Sequence, residues 1–187
     1  MAKIYGVKIK NLKTFHGHEG DCAQGSLYMD GKKIGFWSQD SCGGPDDFDV
    51  SKKDFEELQK RAVKYYTNFP QIDTLQFYKE DVDPSKIDFT NLPKRDPADI
   101  CEIESYLIAE ILERMQTEKV FKSMQKKGHK YLATINCISG SWPIPKTIYT
   151  CYGAMSEAQA RKCFAKELEL PYVSLKMYGS VDDFVTE

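Results

Sequence analysis

The side chains best suited to chemistry fall in one short stretch, TFHGHEGDC, residues Thr14 to Cys22, which holds His16, His18 and Cys22. Imidazole nitrogen and thiolate sulfur are the usual protein ligands of zinc, arranged as a tetrahedron. His16 and His18 are two apart, so an extended chain points both to one side. Gly20 lets the chain turn before Cys22, and Cys42, in DSCGG, can return as a further ligand if the segment 25–38 is a hairpin that brings its flanks together. His16, His18, Cys22 and Cys42 are therefore the candidate metal set, with zinc as the only cofactor the sequence suggests. Glu19 and the acidic group Asp46, Asp47 and Asp49 are placed to extend it. The same residues allow a thiol nucleophile, in which His16, His18 or His129 lowers the pKa of Cys22 or Cys42 and the bare amides of SCGG hold an oxyanion.

Neither pattern is strong. The chain has no C-x-x-C pair and no H-x-x-x-H, and no nucleophile signature surrounds either cysteine. The plainer reading is a strand-exit loop whose glycines turn the chain and whose histidines hydrogen-bond locally, and this reading is preferred. No catalytic residue is assigned. CGGP lacks the length and the lysine of a phosphate-cradling loop, and G-x-G-x-x-G, G-x-S-x-G and H-E-x-x-H are all missing. For contact with a partner, the candidates are Trp142, between prolines and glycine in SGSWPIP, and the pair Tyr65 and Tyr66.

The whole-chain balance narrows the classes. With 41% hydrophobic and 29% charged residues in 187, the composition belongs to a folded domain, neither disordered nor membrane-spanning. A formal charge of −2 offers no basic stripe, which argues against nucleic acid as a partner. MAKIYGVKIK reads as a strand rather than a secretion signal. The six cysteines are scattered, several on periodic core positions, and suggest buried free thiols in a reducing cytoplasm.

The elements that must position these residues follow from periodicity. KIYGVKI alternates, with Tyr5, Val7 and Ile9 on one face. Asp30-Gly31 supplies a type I′ turn between Leu27, Met29 and Ile34, Phe36. Ser51 caps a helix with Asp54 three residues on, and Phe55, Leu58, Ala62 and Tyr65 form its buried stripe until Pro70 forbids continuation. Residues 70–96 are a proline-containing connection with one short strand candidate, TLQFY. Asp96 and Pro97 are read as the start of a long helix, striped by Ile100, Ile103, Leu107 and Ile111 and closed by Gly128, with a break near Thr117 allowed by the pattern. The remainder reads as strand, strand, helix, strand, the helix capped by Ser156 and Gln159 with Ala160, Cys163, Phe164 and Leu168 facing in.

The expected fold is therefore α+β: antiparallel β-hairpins or sheet, one long central helix, and two shorter helices packed on it. Residues 1–69 form an N-terminal hairpin-plus-helix unit, 70–96 the connection, and 97–187 the long helix with a ββαβ unit, in one compact domain or two closely packed halves. The wide stripe of the long helix leaves room for pairing with a second copy.

One resemblance bears on function. Ile9 to Phe15, Gly17, Glu19-Gly20 and Asp30 to Lys33 resemble the I-K-N-x-K-T-F-x-G-x-E-G and D-G-K-K signature of small uncharacterised accessory proteins of phages, prophages and plasmids. The likeness covers about the first fifth of the chain and implies an accessory product made inside a bacterial cell, with no activity or cofactor attached. With no catalytic constellation in view, the expected role is non-enzymatic: binding a host macromolecule, foremost a host or phage protein, with inhibition of a defence system as one form. The alternative is a metal- or cysteine-dependent hydrolase built on His16, His18, Cys22 and Cys42.

Overall fold

The structure, a computed structural model, describes residues 1–42, 44–69, 93–138, 146–151, 156–169 and 173–187. Trp142, TLQFY and most of the 70–96 connection lie outside the described residues. The fold is α+β, and the chain forms two compact units. Unit 1 is Met1–Gln71, Arg95–Gln116 and Phe184–Glu187; unit 2 is Ile72–Lys94 and Thr117–Asp183. This partition differs from a division at residue 97, because the first half of the long helix buries its apolar stripe in unit 1.

Unit 1 is built on a six-stranded sheet in the order β5-β4-β3-β2-β1-β9. Its strands are β1 (Lys3–Ile4), β2 (Val7–His16), β3 (Asp21–Met29), β4 (Lys32–Gln39), β5 (Asp47–Val50) and the C-terminal β9 (Val185–Thr186). Successive strands pair antiparallel; β1 and β9 pair parallel. Asp30 and Gly31 take φ of 47° and 85°, the positive pair that the I′ turn requires.

A second such turn went unread in the sequence. Tyr5 (φ 43°) and Gly6 (φ 77°) separate β1 from β2, with Ile4 opposite Val7. KIYGVKI is thus two strands and a turn, so Ile4, Val7 and Ile9 are all fully buried while Tyr5 stays part-exposed. A Cβ at Gly6 would run into Asp30 Oδ1, so glycine is needed there for space as well as for conformation.

One face of this sheet carries the core. Ile4, Val7, Ile9, Leu27, Met29 and Trp37 pack against Leu58, Ala62, Tyr65 and Tyr66 of α1 (Lys52–Asn68) and against Ile103, Leu107, Ile108 and Ile111 of α2 (Ile103–Lys126). Fully burying an aliphatic side chain contributes about 1.5–3 kcal/mol, so this cluster dominates the stability of the unit. Ser51 caps α1 by accepting from the Asp54 amide. The stripe of α2 from Ile103 to Ile111 is buried inside unit 1.

The start of α2 corrects the expected boundary. Asp96 does cap, accepting from the Ala98 amide at 2.9 Å, but only a single 3-10 turn, Pro97–Asp99. Ile100 is then extended and Glu102 takes a φ of 54°, which no α-helix accommodates, so α2 begins at Ile103. From there it runs unbroken through Thr117 to Lys126, and Gly128 (φ 86°) closes it.

In unit 2, β6 (Leu132–Ile138) lies between β7 (Lys146–Cys151) and β8 (Val173–Tyr178), antiparallel to both. Ser156 and Gln159 form the expected capping box on α3. That helix spans only Glu157–Cys163, and Ala160 is its buried residue while Cys163 is exposed, so the expected inward stripe is shorter than the sequence suggested. Cys42 and Cys101 are exposed too, and Cys22 alone of the four cysteines whose side chains are described is buried. Three of these four thiols are thus at the surface, against the expectation of burial. Among the described residues no helix is long and apolar enough to cross a membrane.

Candidate binding surface

The TFHGHEGDC stretch is a β-hairpin. His16 ends β2 opposite Asp21, the first residue of β3, and the Gly17 amide donates to the Gly20 carbonyl at 2.7 Å across the turn. His16 Nδ1 lies 2.9 Å from Asp21 Oδ1, with both side chains largely in solvent. His18 is exposed at the tip. The segment after β4 does approach this turn, since a Cβ at Gly17 would meet both Ser41 Oγ and Cys22 Sγ. Yet Cys22 is buried and Cys42 is exposed. Among the described residues no three His, Cys, Asp or Glu side chains are grouped so as to hold a metal ion. The stretch brings His16 to Asp21 and does not assemble the four candidate ligands.

Tyr65 and Tyr66, candidates for a contact surface, sit in the core at 5% and 4% exposure. Tyr65 packs edge-on to Tyr5 and Tyr66, and its hydroxyl accepts from Arg114 Nη2 at 2.9 Å. Arg114, itself buried, also donates to Thr186 Oγ1 and Glu110 Oε1. Burial pushes the Tyr65 phenol well above its ordinary range. These tyrosines hold α1, α2 and β9 together; a partner does not reach them.

The feature the sequence hid is the other face of the unit 1 sheet. Lys8 and Lys10 of β2 stand opposite Tyr28 and Ser26 of β3, on the side away from Val7 and Ile9. A regular strand would turn Lys13 to the core side. The ladder slips between Lys10 and Lys13, where Asn11 takes a φ of 53°, and Lys13 pairs with Gln24 on the same face as Lys10. Asparagine tolerates that left-handed conformation better than most residues, and the extra residue is a β-bulge. In β4 a second slip, at Ile34, puts Lys33 opposite Tyr28 and Phe36 opposite Ser26. Two bulges on strands flanking β3 thereby gather four lysines and two aromatic rings on one surface.

The contacts on this surface are cationic and aromatic. Lys10 Nζ lies 4.6 Å from the Tyr28 ring centroid and Lys33 Nζ 3.5 Å from that of Phe36, which is 50% exposed. Beside Lys33 and Phe36 runs an open groove of about 490 Å³, lined also by Asn11, Lys13, Gln24, Ser26 and Ser38. Among the described residues none of Lys8, Lys10, Lys13 and Lys33 has a carboxylate partner. Asp49 and Asp47 pair with Phe36 and Ser38 along β5, so the face turns acidic only at that edge.

A second cationic groove lies beside the two I′ turns, with Lys8, Lys60 and Lys64 in its lining next to an internally paired Arg61. Arg61 of α1 donates to Asp30 through Nη1 and Nη2, to the Tyr5 carbonyl at 2.7 Å and to Glu57 at 3.1 Å, and Lys3 is paired with Glu187. The guanidinium beside Asp30 holds its carboxyl below the ordinary value. That site ties α1 to both turns and is structural.

No protein-family model, curated protein or solved structure matches the chain. Function must therefore be argued from this surface. The signal available in the sequence was KIKNLK, with a lysine at two alternate positions and a third displaced by one beyond an asparagine.

Proposed function

We propose that this chain is a non-enzymatic accessory protein of a bacterial mobile element that works in the cytoplasm by binding a host macromolecule. The observation that carries the reading is the open sheet face of unit 1, where unpaired lysines and an exposed Phe36 stand in solvent around a groove. Exposed aromatics ringed by polar groups are the usual composition of a contact centre. A host or phage protein is the partner expected from whole-chain composition, and blocking a host defence system is one outcome of such binding. In the same reading α2 is the central element of the fold, with the two shorter helices packed on it.

The test is retention from lysate of the bacterium that carries the element, using the wild-type chain and a Lys33→Glu/Phe36→Ala variant. The reading expects a macromolecule held by the wild type and lost from the variant. Turnover of a small molecule by the pure chain, with no macromolecule retained, overturns it.

A further inference from the structure

We propose that the occupant of this face is single-stranded nucleic acid, with Lys10, Lys13 and Lys33 taking the phosphates and Tyr28 and Phe36 stacking on bases. The inference rests on the binding-protein reading above and names its partner.

A chain with a net charge of −2 has placed four lysines without carboxylate partners on the two strands that flank β3. Such segregation favours a polyanion, whose condensed counterions are released when lysines replace them. The aromatic component selects among polyanions. Surfaces that bind single strands combine a positive groove along the backbone with rings on which successive bases stack, and they do so without reading sequence. Tyr28 and Phe36 lie on neighbouring strands, each with a lysine over its ring in the free protein. Those ammonium groups can swing to phosphates and leave the rings to bases.

Geometry fits an extended strand better than a duplex. Outward positions along β2 recur every two residues, about 6.6–6.8 Å apart, and the bulge continues the row from Lys10 to Lys13. Among the described residues of unit 1 both helices pack on the opposite face, so none is raised here to enter a major groove, and the rings are useful only to bases that are already unstacked. Asp47 and Asp49 on β5 repel a phosphate chain from that edge, which keeps the path on β2, β3 and the β3 side of β4.

Fluorescence anisotropy with labelled oligothymidylate of about 12 nucleotides, within the range that single-strand binders cover, tests this on the full chain. Four proteins are compared: wild type, Lys10→Glu/Lys33→Glu, Phe36→Ala, and Lys127→Glu as a control on an exposed lysine of unit 2. Circular dichroism of each confirms that it is folded. The expected result is binding by wild type and control, a loss of at least about tenfold in the charge reversal, a loss of about five- to a hundredfold in Phe36→Ala, and weaker binding of the matching duplex. Absence of oligonucleotide binding at low salt overturns the proposal. So does equal binding of single strand and duplex that ignores Phe36, which would be simple polyanion capture. Lysate retention separates the two readings: a host protein held through the same face, with no oligonucleotide bound, ends the nucleic-acid proposal and keeps the binding-protein reading.

Discussion

The Lys33 ammonium lies 3.5 Å from the centroid of the Phe36 ring, although the two residues are three apart in one strand. In a regular strand an odd spacing sends side chains to opposite faces. Here the extra residue at Ile34 resets the alternation, so the partners Tyr28 and Ser26, two apart on β3, receive Lys33 and Phe36 on one side. The surface proposed to bind is therefore a product of the ladder's irregularities, and a repair of either bulge would dismantle it. Asn11→Val, which removes the residue suited to a positive φ, should weaken ligand binding at the face beyond its effect on the unfolding midpoint. Binding and urea midpoints measured together check this.

Asp30 and Arg61 predict a pH dependence. The folded carboxyl titrates below its ordinary value of 3.8, chiefly because Arg61 hydrogen-bonds it. Such a group contributes stability above its unfolded pKa, and the contribution is lost as pH falls through the lower folded value. Asp30 is two-thirds exposed, so solvent screening keeps the effect within about 1 kcal/mol. Asn accepts the positive φ of residue 30 as Asp does, so Asp30→Asn removes mainly the charge. The wild type should exceed the variant in urea midpoint near neutrality, and the two should converge in strong acid.

Tyr65→Phe removes the hydroxyl that accepts from buried Arg114. An unmet buried donor costs about 1–3 kcal/mol, so chemical denaturation should show a lower midpoint at unchanged slope. Burial raises the folded phenol's pKa, which adds stability up to the unfolded pKa and loses it as pH rises further. Stability should thus fall less steeply in alkali for the variant than for the wild type.

Thiol exposure is read by timed alkylation and peptide mapping. Cys42, Cys101 and Cys163 should label in the native protein, and Cys22 only on unfolding. His16→Ala should change stability by less than about 0.5 kcal/mol, because His16 and Asp21 are both mostly in water. A larger loss, or loss of a bound metal on this substitution, would restore the zinc reading of the hairpin.

Much of the framework was legible in the sequence, for local reasons. Caps at Ser51 and Ser156, the Asp30-Gly31 turn and the stripe from Ile103 to Ile111 each follow from side-chain chemistry within a few residues. What escaped depends on non-local pairing. Tyr5-Gly6 looks like part of an alternating strand until Ile4 is seen opposite Val7. Glu102 gives no sequence sign of a left-handed residue, so the pattern alone extends the helix back to Asp96. Helical periodicity places Tyr65 on the buried stripe, against a surface role for the pair, but says nothing of Tyr66, which is buried as well. The lysine face stayed hidden because net charge averages over the molecule and alternation assumes no bulge.

The most direct measurement is the salt dependence of oligothymidylate affinity for wild type and for Lys10→Gln/Lys33→Gln. Each phosphate neutralised on a single strand contributes about −0.7 to the slope of log affinity against log salt. With three or four lysines engaged, the wild-type slope should be about −2 to −3, and the double variant should flatten it by about 1.4. A wild-type slope near zero, or one that the double variant leaves unchanged, would contradict the assignment of this face to single-stranded nucleic acid.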